Sequence, residues 1–486
     1  MHRTIPASRF LRPPGPTVPS EPRRGARLVS PRHSVHGQWS SRFIFIVALI
    51  GSAVGLGNVW KFPYLAGENG GGAFVLVYLL CTAFIGLPLM AAEILIGRRA
   101  RRSPVLAMRT LALEEGRSSL WAGVGWLATL AAVLILAAYS VVGGWAMAYV
   151  FRAASGAFVG VDAYQASQLF RQLTGDPERL LAWHTLFLAV TVMVVGRGVR
   201  HGLEEAVRWF MPILIGLLLL LVWYAWRYGA FDQAVDFLFR PNFAALSGGA
   251  VLAALGHAFF TLSLGMGAVM AYAAYAGDRV PVLQVSLMVV LADTAVALLA
   301  GLATFPLVFS NGLAPASGPG LVFETLPLAF GAMADGEVYA TLFFAMLMFA
   351  AWTSSISLLE PAVAYLVERW RIERPLATSY LGVAVWTLGL VPVFSFNIWA
   401  HVRPLDGWPL FQGRTLFDLM NFVSTNLMLP LVGLAVAVFA GWRLSPQTSR
   451  LEMGRTLGYR LWLGVIRFIT PVAVLIVLLN SAGILQ

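Results

Sequence analysis

Residues 51–58 read GSAVGLGN, which places three glycines within seven residues, in the middle of an apolar block that runs from about 43 to 67. Glycine costs about 1 kcal/mol relative to alanine inside a helix, so this segment is expected to unwind. Residues 261–267 read TLSLGMG and interrupt the block from about 249 to 276 in the same way. The chain therefore carries two apolar segments that are poised to form broken helices.

The composition indicates that lipid is the solvent for most of the chain. Of the 486 residues, 58% are hydrophobic and 12% are charged, against roughly a quarter charged in soluble domains. The apolar residues fall in blocks of about 20 or more, long enough to cross a hydrocarbon core of about 30 Å as helices, and lack the short alternating strands of an outer-membrane barrel. We predict an all-α polytopic membrane protein with eleven transmembrane helices, at about 43–67, 73–97, 120–152, 181–196, 203–227, 249–276, 284–309, 337–367, 376–396, 415–442 and 460–482.

The formal charge of +11 indicates topology rather than nucleic-acid binding. If residue 1 is cytoplasmic, the cytoplasmic segments hold 26 of the 34 Lys and Arg residues, Arg279 among them. This asymmetry follows the positive-inside rule, so the N-terminus is predicted to be cytoplasmic and the C-terminus periplasmic.

Residues 1–38 are rich in proline and arginine and contain no apolar run, so they are expected to form a disordered basic cytoplasmic tail rather than a cleavable secretory signal. The remaining residues, 39–486, are predicted to form the transmembrane domain. The single cysteine, Cys81, excludes an intrachain disulfide and a cysteine metal cluster.

Blocks one and six are equivalent members of two five-helix halves, at about 43–227 and 249–442, followed by an extra helix at about 460–482. Interrupted segments at matching places in two halves are typical of a transporter site, because unwinding frees backbone carbonyls for a cation and N–H groups for an anionic substrate. The alternative is that Gly51 and Gly55, spaced as GxxxG, only let two helices approach closely. The glycines alone do not decide between the two interpretations.

Two further features are consistent with ion binding. Ala350, Thr353, Ser354 and Leu358 share one face of a predicted helix, so two hydroxyls face the same way, although small hydroxyl residues also occur in ordinary helix packing. Asp293 lies about 12 residues after the predicted cytoplasmic turn near Asp278 and Arg279, hence roughly 18 Å deep at the helical rise. A lone carboxyl group at that depth is expensive and usually functional; the alternatives are a neutral protonated acid and a buried hydrogen-bonding group.

These residues carry a resemblance to a known family. The segments GSAVGLGNVWKFPY (51–64), ENGGGAF (68–74), FFTLSLG (259–265) and TSS (353–355) resemble the first, sixth and eighth helices of the neurotransmitter:sodium symporter family. The similarity extends from about Trp39 to the end and is closest to the prokaryotic branch, whose members often have eleven helices. The resemblance implies inverted five-helix repeats with broken helices 1 and 6, and two sodium sites beside a central substrate site.

The resemblance also implies which residues form these sites. The first sodium site corresponds to Ala53, Asn58, Thr261 and Asp293, and the second to Gly51, Val54, Ala350, Thr353 and Ser354. The substrate site corresponds to Ser52, Ala53, Gly55, Leu56, Gly57, Ile135, Tyr139, Phe260, Thr261, Ser263, Met266, Ser354 and Leu358. Both sodium sets consist of backbone or side-chain oxygen donors, as a hard cation requires.

The resemblance predicts an amino acid as the substrate. Monoamine carriers of the family have an aspartate where this chain has Gly55, and an apolar side chain suits the wall of Ile135, Phe260, Met266 and Leu358. Asp293 stands where many members have a neutral asparagine and recruit chloride, so no chloride requirement is expected.

Gate residues are implied on both sides of the site. Lys61 matches a basic outer-gate position, but Asn421 stands where its acidic partner is usual, and Asp418 is the candidate substitute. Trp39 and Glu368 match inner-gate positions, and His36 stands where an arginine is usual.

The sequence therefore predicts a sodium symporter for an amino acid in a bacterial inner membrane, with no nucleic-acid ligand and no obligate protein partner. The alternatives are an amino-acid-sensing membrane receptor that does not transport, and a sodium-coupled carrier of another small solute. An enzyme is disfavoured, because no paired carboxylates, histidine cluster or nucleophile motif occurs at a plausible site.

Overall fold

The computed structural model describes residues 34–277, 280–315, 320–333 and 335–484. Most of the predicted tail, residues 1–33, and the predicted cytoplasmic Arg279 lie outside the described residues. Residues 34–38 of that tail are described, and among them the buried His36 ring bonds Glu368 at 3.1 Å. The described residues all fall within one compact unit, His33–Gln486.

The first apolar block forms a broken helix. Helix α1 (Arg42–Ala53) ends where Val54 adopts an extended conformation, and α2 (Gly57–Glu68) continues at an angle of 47°. The bend falls in the glycine-containing segment that the sequence predicts to unwind.

The rest of the described chain is also helical apart from its connections. Up to residue 261 the helices are α3 (Gly72–Ala100), α4 (Pro104–Glu114), α5 (Ser119–Ala154), α6 (Ala163–Thr174), α7 (Pro177–Gly196), α8 (Val199–Tyr228), α9 (Phe231–Phe239) and α10 (Gly248–Thr261). Beyond it they are α11 (Ala268–Ala274), α12 (Val282–Ser310), α13 (Leu321–Gly331), α14 (Gly336–Trp370), α15 (Arg374–Ser395), α16 (Leu416–Arg443), α17 (Pro446–Met453) and α18 (Leu457–Ser481).

Nine helices in the described part of the chain are long and apolar enough to cross a membrane, namely α3, α5, α7, α8, α12, α14, α15, α16 and α18. The broken pair of α1 and α2 raises the count to ten. The predicted sixth span is divided between α10 and α11, and neither helix is long enough to cross a membrane by itself. The count of helices by length therefore stops at ten and does not reach the predicted eleven. Helices α4, α6, α9, α13 and α17 lie in segments between the predicted spans.

The second break, between α10 and α11, has backbone conformations that favour glycine. Gly265 and Gly267 have φ angles of +75° and +72°, and Ser263 between them and α10 has +53°. The fully buried Glu93 of α3 accepts the Gly265 N–H at 2.7 Å through Oε1. A side chain from another helix thus satisfies a donor that the interrupted helix leaves free.

Close backbone contact holds α11 against α3. A Cβ atom added to Gly97 would lie 2.1 Å from the carbonyl oxygen of Met270, which is a backbone atom and cannot move aside cheaply. The position therefore requires glycine for packing, as is common between membrane helices.

We predict that Gly97→Ala destabilises the protein by about 1–3 kcal/mol, because overpacking forces the two backbones apart. The measurement is the unfolding temperature of the purified protein in detergent. Gly123→Ala is the matched control, since a Cβ atom there meets nothing within 4 Å, and it should retain or raise the unfolding temperature. An unfolding temperature of Gly97→Ala equal to that of Gly123→Ala would contradict the close contact.

Candidate functional site

The first break has its own hydrogen bonds. The Gly55 N–H donates to Oδ1 of Asn58 at 3.0 Å, and the Leu56 N–H donates to the Tyr139 hydroxyl at 3.0 Å. On the acceptor side, the Ser52 carbonyl receives the Ser263 hydroxyl at 2.7 Å. The unwound backbone is thus bonded by one nearby side chain, Asn58, and by two distant ones, Tyr139 and Ser263.

Gly51 and Gly55 are both tightly packed, but against different neighbours. A Cβ atom at Gly55 would lie 2.2 Å from Oγ of Ser354 and 2.8 Å from the Tyr139 hydroxyl, whereas one at Gly51 would lie 3.1 Å from Sδ of Met211. A Cβ atom at Gly51 would also lie 3.7 Å from Cβ of Thr353, so both glycines face α14. Gly55 lets the break approach α5 and α14, and Gly51 lets α1 approach α8 and α14.

A first cluster of oxygen atoms surrounds Asp293 of α12, which is fully buried. Its carboxyl group accepts Nδ2 of Asn58 at 2.8 Å, the Thr261 hydroxyl at 3.1 and 3.2 Å, and the Tyr78 hydroxyl at 3.4 Å. An ionised carboxylate only accepts hydrogen bonds, and these three contacts suit that form. Three of the four residues predicted for the first sodium site are thus joined through Asp293, and the fourth, Ala53, is the last residue of α1, directly before the first break.

A second cluster joins α1 to α14. The Val54 carbonyl oxygen lies 3.3 Å from both Oγ1 of Thr353 and Oγ of Ser354, and Oγ1 of Thr353 lies 2.9 Å from the Ala350 carbonyl. A Cβ atom at Gly51 would lie 3.7 Å from that of Thr353. All five residues predicted for the second sodium site therefore meet, and their oxygen atoms match the donors that a hard cation prefers.

A small cavity of about 20 Å³ lies between the two breaks. Its lining combines apolar side chains with hydroxyl groups and unwound backbone, contributed by Ala53, Gly55, Gly57, Ile135, Tyr139, Phe260, Ser263, Met266, Ser354 and Leu358. All ten were predicted from the sequence. The other three predicted substrate residues, Ser52, Leu56 and Thr261, lie beside the cavity, where they make the contacts described above.

The outer side of the site holds a larger cavity of about 190 Å³, lined among others by Leu56, Lys61, Phe260, Asp418 and Asn421. The expected ion pair between Lys61 and Asp418 is not formed in the described part of the chain. The Lys61 ammonium lies over the Phe260 ring at 4.5 Å, whereas the Asp418 carboxylate accepts the N–H and hydroxyl of Thr415 at 3.0 and 2.7 Å. Both bonds use Oδ2 of Asp418, which caps the start of α16, and the role of Asp418 as the gate acid stays a prediction.

The inner side is closed by polar contacts. Nε1 of Trp39 donates to the Tyr272 carbonyl at 2.9 Å. The Glu368 carboxylate binds the His36 ring at 3.1 Å and accepts the backbone N–H of Ser103 at 2.9 Å. Both predicted inner-gate residues therefore join the segment before α1 to other parts of the chain.

Several supporting residues were missed in the sequence. Glu93 holds the second break and Tyr78 bonds Asp293, while Ser103 bonds Glu368. Glu93 carried a detectable signal, because it is a lone carboxyl group within an apolar block, like Asp293. Tyr78 and Ser103 carried none, since their roles depend on contacts with distant parts of the chain.

The fold and these clusters define a multi-pass membrane transporter with two broken helices around a central cavity. The chain belongs to the Sodium:neurotransmitter symporter family, whose sequence profile matches residues 36–160 and 166–485. This finding confirms the resemblance seen in the sequence motifs.

Individual relatives agree with the family assignment. The chain is 37% identical over 455 residues to an uncharacterized sodium-dependent transporter, YhdH, of Bacillus subtilis, covering 92% of this chain and 98% of the relative. It is 26% identical over 473 residues to the creatine transporter of Torpedo marmorata, covering 87% and 74%. The crystal structure of MhsT in complex with L-phenylalanine matches with a TM-score of 0.84 at 39% identity, covering 92% of this chain and 99% of that one. The chain is therefore similar to sodium-dependent transporters over nearly its whole length.

Proposed function

We propose that this protein is a symporter that couples sodium to the uptake of an amino acid with an apolar side chain across a bacterial inner membrane. The observation that carries the proposal is the position of the central cavity, which lies between two clusters of oxygen atoms at the helix breaks. Sodium and the amino acid would then bind side by side, so that each can favour binding of the other. Family membership supports the use of sodium.

The cavity suits an α-amino acid at both of its ends. The start of α2 presents the positive end of a helix dipole and the Tyr139 hydroxyl lies beside it, so this end favours a carboxylate. Ile135, Met266 and Leu358 form the apolar side and favour an apolar substrate side chain. The complex of MhsT with L-phenylalanine supports the same choice.

A carrier of another carboxylated solute is the second candidate, because the creatine transporter of Torpedo marmorata is a relative. Creatine carries a guanidinium group that would need an acidic or carbonyl partner at the distal end of the cavity. Ile135, Met266 and Leu358 provide no such partner, so an apolar amino acid is the better fit.

Two sodium ions would be transported with each amino acid. One would be held by Ala53, Asn58, Thr261, Asp293 and the substrate carboxylate, and the other by Gly51, Val54, Ala350, Thr353 and Ser354. Carbonyls freed by the first break contribute to both sets, which links ion binding to the shape of α1. The negative Asp293 would take the place of a chloride ion.

Transport would proceed by alternating access. The polar contacts of Trp39, His36 and Glu368 close the inner side, while the outer cavity leads toward the Phe260 ring above the substrate cavity. We place the two halves at about 43–227 and 249–442, each containing one break, with α18 outside them. The N-terminus would face the cytoplasm and the C-terminus the periplasm.

We predict that proteoliposomes take up labelled phenylalanine when sodium is present outside, and that Thr353→Ala combined with Ser354→Ala abolishes this uptake. The double substitution removes two oxygen atoms that face Val54. Ser357→Ala is the matched control, because its buried hydroxyl only bonds the Ser354 carbonyl within α14, and it should retain sodium-driven uptake. Uptake by the unsubstituted protein that persists when choline replaces sodium would refute the proposed coupling.

We predict that Gly55→Asp weakens phenylalanine binding more than Gly55→Ala does. Both add a Cβ atom where Ser354 and Tyr139 leave no room, but only aspartate also repels the substrate carboxylate, by up to about 4 kcal/mol at 4 Å and an effective dielectric constant of 20. The measurement is equilibrium binding of phenylalanine in sodium buffer, and the further loss in Gly55→Asp should be at least tenfold. Gly216→Ala, where a Cβ atom meets nothing within 4 Å, is the control. Equal affinity of the alanine and aspartate variants would place the substrate carboxylate elsewhere.

We predict that uptake does not depend on chloride and that Asp293→Asn introduces a chloride requirement or weakens sodium binding. The substitution removes a buried negative charge but is nearly isosteric, so the fold should persist. Sodium-dependent uptake is measured in chloride and in gluconate for the unsubstituted protein, for Asp293→Asn, and for Asp232→Asn, which changes an exposed acid on α9. Asp293 would not belong to the ion site if uptake by the unsubstituted protein depended strongly on chloride. The same conclusion would follow if Asp293→Asn behaved like the Asp232→Asn control.

A further inference from the structure

A second large cavity, of about 510 Å³, lies on the outer half of the protein beside the proposed substrate pathway. Its walls come from α2, α10, α16 and α18. Lys61 and Phe260 separate it from the outer cavity, since both residues line the two spaces. The proposed transport mechanism assigns no role to this second cavity.

His257 of α10 lines this cavity and has two unsatisfied nitrogen atoms. The residue is 1% exposed, and neither Nδ1 nor Nε2 has a hydrogen-bond partner in the described part of the chain. The ring packs against Tyr78 and Phe62, with centroid distances of 5.3 and 5.9 Å. Unsatisfied buried polar atoms are costly, so the two nitrogen atoms give a ligand in this cavity hydrogen-bonding partners that no described residue uses.

The charge of the cavity selects an anion. Lys61 contributes an ammonium group that forms no ion pair within 4.0 Å among the described residues and lies over the Phe260 ring at 4.5 Å. None of the described residues that line the cavity is acidic. Neutral groups of Asn426, Asn480 and Ser481 add hydrogen-bonding capacity without changing the sign of the charge.

The shape of the cavity selects an organic anion. Leu252, Pro430 and Val477 give it apolar walls, and its volume falls within the range of about 300–1,000 Å³ that is typical of small-molecule sites. A halide ion would leave most of this space and all of the apolar surface unused. An anion with an apolar body matches both features.

We propose that this cavity binds an amphiphilic organic anion, whose charged group lies between Lys61 and His257 and whose apolar part packs against α16 and α18. Either a free carboxylate or the phosphate of an anionic membrane lipid has this chemistry. Occupancy would press on Phe260, which also lines the proposed substrate cavity. Binding of the anion needs neither sodium nor an amino acid. An experiment can therefore disprove the anion site without disproving the proposed transport, and the reverse.

The test is equilibrium binding to the delipidated full-length protein in sodium-free buffer. One arm compares octanoate with uncharged octanamide, and the other compares dioctanoyl phosphatidylglycerol with dioctanoyl phosphatidylcholine. We expect at least one anion to bind at least tenfold more tightly than its matched control, and the arm that responds identifies the source. The proposal would be overturned if each anion bound no more tightly than its control in both arms, or if nothing bound in either arm. It would also be overturned if chloride alone raised the unfolding temperature as much as the organic anion does.

Two variants test whether the anion binds in this cavity. Gly256→Leu places a side chain in the cavity, at a position where a Cβ atom meets nothing within 4 Å, and His257→Phe keeps the ring contacts but removes both nitrogen atoms. Each should weaken binding of the anion at least tenfold. His257→Phe should also keep the unfolding temperature, because it breaks no hydrogen bond in the described structure.

Gly123→Leu is the matched control, because Gly123 also has open space but lines a separate apolar cavity between α5 and α14. It should bind the anion as the unsubstituted protein does. Undiminished binding in Gly256→Leu would overturn the assignment, whether or not His257→Phe folds. If phenylalanine in sodium buffer displaces the anion, and Gly256→Leu still binds the anion as tightly as the unsubstituted protein, the anion binds in the substrate cavity instead.

Discussion

The structure depends on one constraint, which is that unwound backbone at the depth of a bilayer must find hydrogen-bond partners within the protein. Both broken helices meet it with side chains from other helices. Tyr139 of α5 accepts a donor from the first break, and Glu93 of α3 accepts one from the second. The broken helices are therefore stable only inside the assembled bundle, and the residues that satisfy them also shape the cavity between them.

The two breaks are tied together through Asp293. Its carboxyl group contacts Asn58, which follows the first break, and Thr261, which precedes the second. Ser263 adds a direct bond from the second break to the Ser52 carbonyl of the first. A change in the shape of one break must therefore alter the hydrogen bonds of the other, which provides a physical route for coupling ligands that bind at either one.

The sequence was most informative where local chemistry determines the structure. Glycines in an apolar block located both breaks, because their cost to a helix is local, and motif resemblance supplied all ten residues that line the cavity. The sequence was less informative where the role of a residue depends on which partner it contacts. Asp418 lies near Lys61 in the outer cavity, yet it bonds the neighbouring Thr415 because a helix cap is available three residues away. The role of Ser103 at the inner side likewise depends on Glu368, which is far away in sequence.

The second cluster shows how ions and conformation can be linked. Val54 belongs to the break after α1, whereas Thr353 and Ser354 belong to α14, and their contacts at 3.3 Å are long for hydrogen bonds between a hydroxyl and a carbonyl. Such contacts hold α1 against α14 only weakly on their own. A cation bound by the same oxygen atoms would add attraction that exists only while the two helices remain together. Because a ligand shifts a conformational equilibrium only through its different affinity for the two states, an ion at this position would favour the state in which the inner side, held by Trp39 and Glu368, stays closed.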